Sequence, residues 1–170
     1  PPQGLAIATG EDLLAGESSV ARILMEELFV DDIDLTLLTE LQNQADLLAQ
    51  AMAGYIEYIR VNMDSITETI EKLFPKLRQK FLGKHVHGRI SESVAWLCIG
   101  LKFALKFARH VKAIDKVTFD RIYKQGKEIF SELAMKQNRM IQAERPAERF
   151  VAILKELIRS KQARVDQINN

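Results

Sequence analysis

The strongest constraint on this chain is a strand with no visible partner. Residues 4–12, Gly-Leu-Ala-Ile-Ala-Thr-Gly-Glu-Asp, read as a short buried strand ending in a polar turn. No run of comparable strand character follows until the closing residues. A lone strand cannot satisfy its own backbone donors and acceptors, and even an isolated hairpin is marginal in water. The expected fold is therefore mainly α: a bundle of five or six helices with a short α/β remnant at the N-terminus. On this reading residues 1–33 are the end of an α/β domain and residues 34–162 a helical bundle domain. Residues 163–170 are a tail or the start of a truncated further domain.

The helical expectation rests on periodicity. Asp31-Asp32-Ile33-Asp34 supplies N-cap chemistry, and Leu35, Leu38, Leu41, Ala45, Leu48 and Met52 follow at three- and four-residue spacing, predicting one long helix through Tyr55 and Ile59. A second helix is expected from Asp64-Ser65, with Pro75 kinking or dividing it. Ser91 or Ser93 is expected to cap a third, apolar on nearly every side between Ile90 and Phe107 and so central to the core. A fourth begins near Val117 or Thr118 and ends before Pro146, and a fifth carries Phe150, Leu154, Leu157 and Ile158. Residues 19–30 fit either a helix or a strand.

Composition is ordinary for a globular protein, with 47% hydrophobic and 28% charged residues. The single cysteine, Cys98, excludes an internal disulfide framework and suits a reducing, cytoplasmic setting. Pro1-Pro2-Gln3 provides no basic lead to a signal peptide, and the greasiest stretch, residues 94–108, carries Lys102 and Lys106 and is too short for a bilayer. No membrane partner is expected. The net charge of +1 conceals a divide: residues 1–75 hold 14 acidic and 3 basic side chains, residues 76–170 hold 9 and 21. Such asymmetry suggests a basic surface for an anionic partner, or two halves that dock on each other.

The basic side chains are densest at Lys76, Arg78, Lys80, Lys84, His85, His87 and Arg89, with no acid between the first and the last. This density suits phosphate contacts that position DNA without reading its sequence, and equally suits a solvated surface run. Lys102, Lys106 and Arg109 form a stripe on the third helix, read as the polar edge of a buried element. His85-Val86-His87 has metal-ligand spacing but lacks a third ligand nearby, and Cys98 sits in a greasy helix unsuited to a nucleophile. Thr9 stands at the end of the opening strand, and Arg22 is the only basic residue among the first 59.

Several stretches, taken in order along the chain, carry a resemblance. They are Gly4-Leu-Ala-Ile-Ala-Thr-Gly-Glu-Asp-Leu13 with Arg22; Leu38-Thr-Glu-Leu-Gln42; Ala51-Met-Ala-Gly-Tyr55; His87-Gly-Arg-Ile90 with Ala95 and Gly100; and Glu144-Arg-Pro146 with Phe150 and residues 160–165. Together they resemble a bacterial family of P-loop proteins of unknown function, found in primase- and helicase-like replication proteins of phages, plasmids and integrated elements. The pair Gly16-Glu17 departs from that family, where Gly-Gln is usual.

The resemblance implies that residues 1–33 close a P-loop ATPase domain, with the phosphate and magnesium motifs upstream of Pro1. ATP and magnesium would then belong to the parent protein, since no Gly-x-x-x-x-Gly-Lys-Ser/Thr occurs here. In ring-forming ATPases a residue placed like Thr9 senses the terminal phosphate, and an arginine placed like Arg22 completes a neighbouring subunit's site. The plainer account is a capping threonine and a surface arginine. The expected role is thus a helical region of a replication ATPase or helicase from a mobile genetic element. Its expected partners are the ATPase core, DNA and further copies of itself. A helical module for protein assembly without nucleic acid is the alternative.

Overall fold

The computed structural model describes residues 7, 9–10, 23–82, 88–143 and 146–162, and over these the chain is a helical bundle. A 3-10 turn at Val30–Asp32 precedes six helices: α1 Leu35–Asn43, α2 Ala45–Val61, α3 Met63–Phe81, α4 Gly88–His110, α5 Lys116–Ala143 and α6 Pro146–Arg159. No strand occurs among the described residues. The opening strand falls largely outside them, and of it Ile7, Thr9 and Gly10 stand in no regular element. Residues 23–29 form neither the helix nor the strand that their sequence allowed.

Asp34 starts α1 as expected, its Oδ1 accepting the Leu37 N–H at 3.0 Å. The single long helix predicted from there is interrupted at Gln44, where φ −108° and ψ 23° leave helical geometry. α2 restarts at once, the N–H groups of Leu47 and Leu48 both donating to the Gln44 carbonyl. Asn62 makes a similar one-residue break, its Nδ2 donating to the Tyr58 carbonyl at 2.8 Å before α3 begins. α3 then passes through Pro75 without dividing. The proline removes one N–H, but Glu71, whose carbonyl loses that partner, is exposed on a face open to water.

α3, α4 and α5 make the core. Ile66, Leu77 and Phe81 of α3 meet Ile90, Val94, Ala95, Cys98, Ile99 and Phe103 of α4, and Ala134 and Ile141 of α5 close the other side. Each large side chain taken fully from water contributes about 1.5–3 kcal/mol. α4 is the central helix, though not covered all round. Glu92, Trp96, Gly100 and Ala104 form an open stripe, and the Trp96 ring stays outside against Phe74, centroids 4.7 Å apart. Ser91, expected as a cap, is buried, and its hydroxyl reaches back to α3.

α4 ends in a Schellman arrangement. Lys112 takes φ 61°, while the N–H of Ala113 donates to Ala108 O at 2.8 Å and that of Lys112 to Arg109 O at 3.0 Å. Asp115 caps α5 through the Thr118 N–H at 2.7 Å. α5 therefore returns antiparallel along α4, so close at Gly126 that a Cβ there would stand 2.2 Å from Leu101 Cδ2. α2 packs on the far end of α4, where Tyr55 and Tyr58 meet the Phe107 ring at 5.6 and 5.7 Å. The N-terminal segment is tied to α5: the Met25 N–H donates to the buried Gln137 Oε1 at 3.1 Å, beside an ion pair of Glu26 with Lys136 at 2.7 Å. No helix of the described residues is long and apolar enough to cross a membrane.

Candidate nucleic-acid interface

The face of α4 that buries Ser91, Ala95 and Cys98 in its first half carries Lys102, Lys106 and Arg109 in its second. This follows from helical spacing: residues four or three apart share one side. Opposite them α5 presents Phe119, Tyr123 and Lys127, again one turn apart. The Lys102 and Lys127 ammonium groups both lie over the Tyr123 ring, 5.9 and 4.7 Å from its centroid. Lys106 lies 5.1 Å from the Phe103 centroid, and the Arg109 guanidinium 5.6 Å from that of Phe119. Lys80, near the end of α3, lies 5.9 Å from the Phe81 ring centre.

These five cations rest on aromatic faces instead of carboxylates. The ion pairs of the described residues are Glu57 with Arg60, Glu68 with Lys72 and Glu26 with Lys136, none involving this group. Asp115 feels the charge of Arg109, but it is engaged in capping α5, and its bonds to Thr118 hold its carboxyl below the usual range. Lys102, Lys106 and Lys127 are each half-buried. Partial burial lowers the pKa of Lys102, and the neighbouring charges of Lys106 and Lys127 lower it further. A ring face returns about 0.5–1 kcal/mol to a cation, less than a hydrogen-bonded anion offers. The cluster is poised to take up negative charge.

Cys98 lies beneath it, and burial pushes its thiol up to about 11 against a smaller opposing pull from Lys127 and Lys80. It is therefore a neutral packing group and no nucleophile. Burial likewise raises Tyr123 above the ordinary phenol range. Among the described residues no group of three His, Cys, Asp or Glu is placed to hold a metal ion.

The basic run between Lys76 and Arg89 is distributed differently from a single patch. Lys76, Arg78 and Lys80 are exposed on α3 and Arg89 is exposed in the first turn of α4, while Lys84, His85 and His87 lie outside the described residues. Lys76 and Lys80 share a side, but Arg78, two residues from each, points elsewhere. Only Lys80 is shown within electrostatic reach of the α4–α5 group, through their common effect on Cys98. Thr9 is exposed, and Arg22 lies outside the described residues. Lys127 and Tyr123, absent from the sequence-based candidates, complete the cluster. Their one-turn spacing is visible in the sequence, whereas the helix they face is not.

No family model, curated protein or solved structure matches this chain.

Proposed function

We propose that this chain is the helical module of a replication ATPase or helicase from a mobile genetic element, and that it holds DNA by its phosphate backbone. The observation carrying the DNA contact is the half-buried trio Lys102, Lys106 and Lys127, gathered from two helices around Tyr123 without a carboxylate partner. Phosphate oxygens would supply the missing negative charge. Tyr123 is already occupied by two ammonium groups, so bases have little ring face to stack upon, which favours sequence-independent contact. Lys80 adds positive charge within reach of this group, and Lys76, Arg78, Lys84 and Arg89 are proposed as secondary phosphate contacts on the strength of the basic run in the sequence.

The ATPase part of the proposal rests on the sequence resemblance. It places Thr9 as a nucleotide-sensing residue and Arg22 as a residue completing a neighbour's site, in a cytoplasmic parent that binds ATP and magnesium. The residues described here form no phosphate-binding loop, so no nucleotide step is assigned to them. A second reading, an assembly module without nucleic acid, draws support from the uncovered apolar side of α1 and α2.

Fluorescence anisotropy with labelled single- and double-stranded DNA tests the DNA contact. Non-specific binding of roughly 1–100 μM, weakening steeply with salt, is expected. Lys102→Gln, Lys106→Gln and Lys127→Gln combined should weaken binding and flatten the log–log salt slope by about 2–3. Absence of binding at low salt, or an unchanged slope in the triple variant, would overturn the proposal. Glutamines at Lys76, Arg78, Lys80, Lys84 and Arg89 should produce a smaller loss.

A further inference from the structure

Lys102 stands where the charges of the α4–α5 cluster converge. Leu101 and Gly126 make a close approach of the two helices, and Lys102 and Lys127 are the next residue along each. The seam therefore brings their ammonium groups together over Tyr123, and Lys106 joins them from one turn along α4. These three lysines are half-buried, whereas every other described lysine is exposed. We propose that Lys102 is a modification site, its side-chain amine taking an acyl group directly from a small acyl phosphate whose phosphate is held by Lys106 and Lys127. The proposal rests on the reading of this cluster as a phosphate site.

Such a transfer needs a free amine, a place for the anionic reagent, and no carboxylate that keeps the amine protonated. Partial burial lowers the Lys102 pKa, and the charges of Lys106 and Lys127 lower it further. More of this side chain is therefore free amine near neutral pH than in an ordinary exposed lysine. The two flanking ammonium groups attract the phosphate dianion to the same place. Among the described residues no ion pair involves Lys102. Lys136 shows the opposite arrangement: its bond to Glu26 raises its pKa, so it should acylate slowly.

In the step, the lone pair of Lys102 Nζ attacks the acyl carbon. A C–N bond forms, and the bond from that carbon to the bridging oxygen breaks, leaving its electron pair on the oxygen. The proton lost by the amine goes to the departing phosphate. The products are an amide and inorganic phosphate, with nothing oxidised or reduced. The amide is uncharged, so a modified chain has lost one phosphate contact of the cluster.

Mass spectrometry of the whole chain after exposure to acetyl phosphate tests this. Acetylating all remaining lysines with a deuterated reagent in denaturant then gives the extent of labelling at each position. Lys102 should label severalfold faster than the exposed Lys155, and Lys136 more slowly than either. Inorganic phosphate at constant ionic strength should slow Lys102 and leave Lys155 unchanged. A neutral ester, p-nitrophenyl acetate, should prefer Lys102 less, because it offers no phosphate to hold. Lys106→Gln with Lys127→Gln should remove the preference shown with acetyl phosphate, at unchanged far-UV circular dichroism. Labelling of Lys102 no faster than Lys155, a preference that inorganic phosphate does not reduce, or an equal preference with the neutral ester would each overturn the proposal without recourse to the variant. Acetylation at Lys102 should also flatten the log–log salt slope of DNA binding by about 1. Selective labelling of a chain that binds no DNA would uphold the modification site and remove only the DNA reading; DNA binding with unselective labelling would do the reverse.

Discussion

The Ser91 hydroxyl donates to the backbone carbonyl of Phe81 at 3.1 Å, joining the first turn of α4 to the last residue of α3. Phe81 ends its helix, so its carbonyl has no partner within α3, and both residues are buried. Replacing the hydroxyl by hydrogen strands that oxygen out of water. Ser91→Ala should destabilise the fold by about 1–3 kcal/mol, measured as a lowered urea midpoint at unchanged slope.

Lys102 is expected to trade stability for binding. It is half-buried beside two like charges and has no carboxylate partner. Lys102→Met keeps most of the stem's packing and removes the charge. Its unfolding free energy should rise by about 0.5–2 kcal/mol while DNA affinity falls. Thermal melts and anisotropy on the same variant check both directions; loss of stability would show that the charge is satisfied in the fold.

Cys98 should resist alkylation in the folded protein at mild alkaline pH and react rapidly once denaturant is added, because it is buried and its thiol is raised to about 11. The same shift sets a pH dependence. A folded value above the ordinary 9.0 means that the native state keeps the proton more tightly than the unfolded one. The contribution is therefore complete below pH 9 and is lost as pH rises through about 11. Denaturant unfolding of the parent chain should lose stability more steeply across that window than Cys98→Ala does.

Gly100 and Gly126 should respond in opposite ways. A Cβ at Gly100, on the open stripe of α4, meets nothing within 4 Å. Gly100→Ala should stabilise by up to about 1 kcal/mol through helix propensity alone. Gly126 faces Leu101 across the tightest approach of α5 to α4. Gly126→Val should cost about 1–3 kcal/mol as that contact is overpacked. Paired thermal melts separate the two effects.

The helices themselves were legible because their signals are local. Asp34 before an apolar repeat, Pro146 at a first helical turn and the near-continuous apolar character of α4 each depend on residues within a few turns. Gln44 is not legible as a break because it is neither glycine nor proline, and one deviating backbone residue suffices to end a helix that resumes immediately; the break at Asn62 falls between the helix expected through Ile59 and the one expected from Asp64. Pro75 does not divide α3: the donor it removes would have served an exposed carbonyl, which water can satisfy, so the helix continues.

What the sequence determined by itself was a mainly helical chain with an acidic front, a basic remainder and a core centred on α4. Periodicity and charge are properties of the chain as written. Which charges become neighbours was decided only by the tertiary structure. Lys102 and Lys127 are 25 positions apart and meet over Tyr123 because α5 returns antiparallel against α4, through the cap at Asp115 and the close approach at Gly126. Conversely, Lys76 and Arg78 are near neighbours in sequence that the turn of α3 directs apart. Helical geometry disperses adjacent residues around an axis, and packing gathers distant ones.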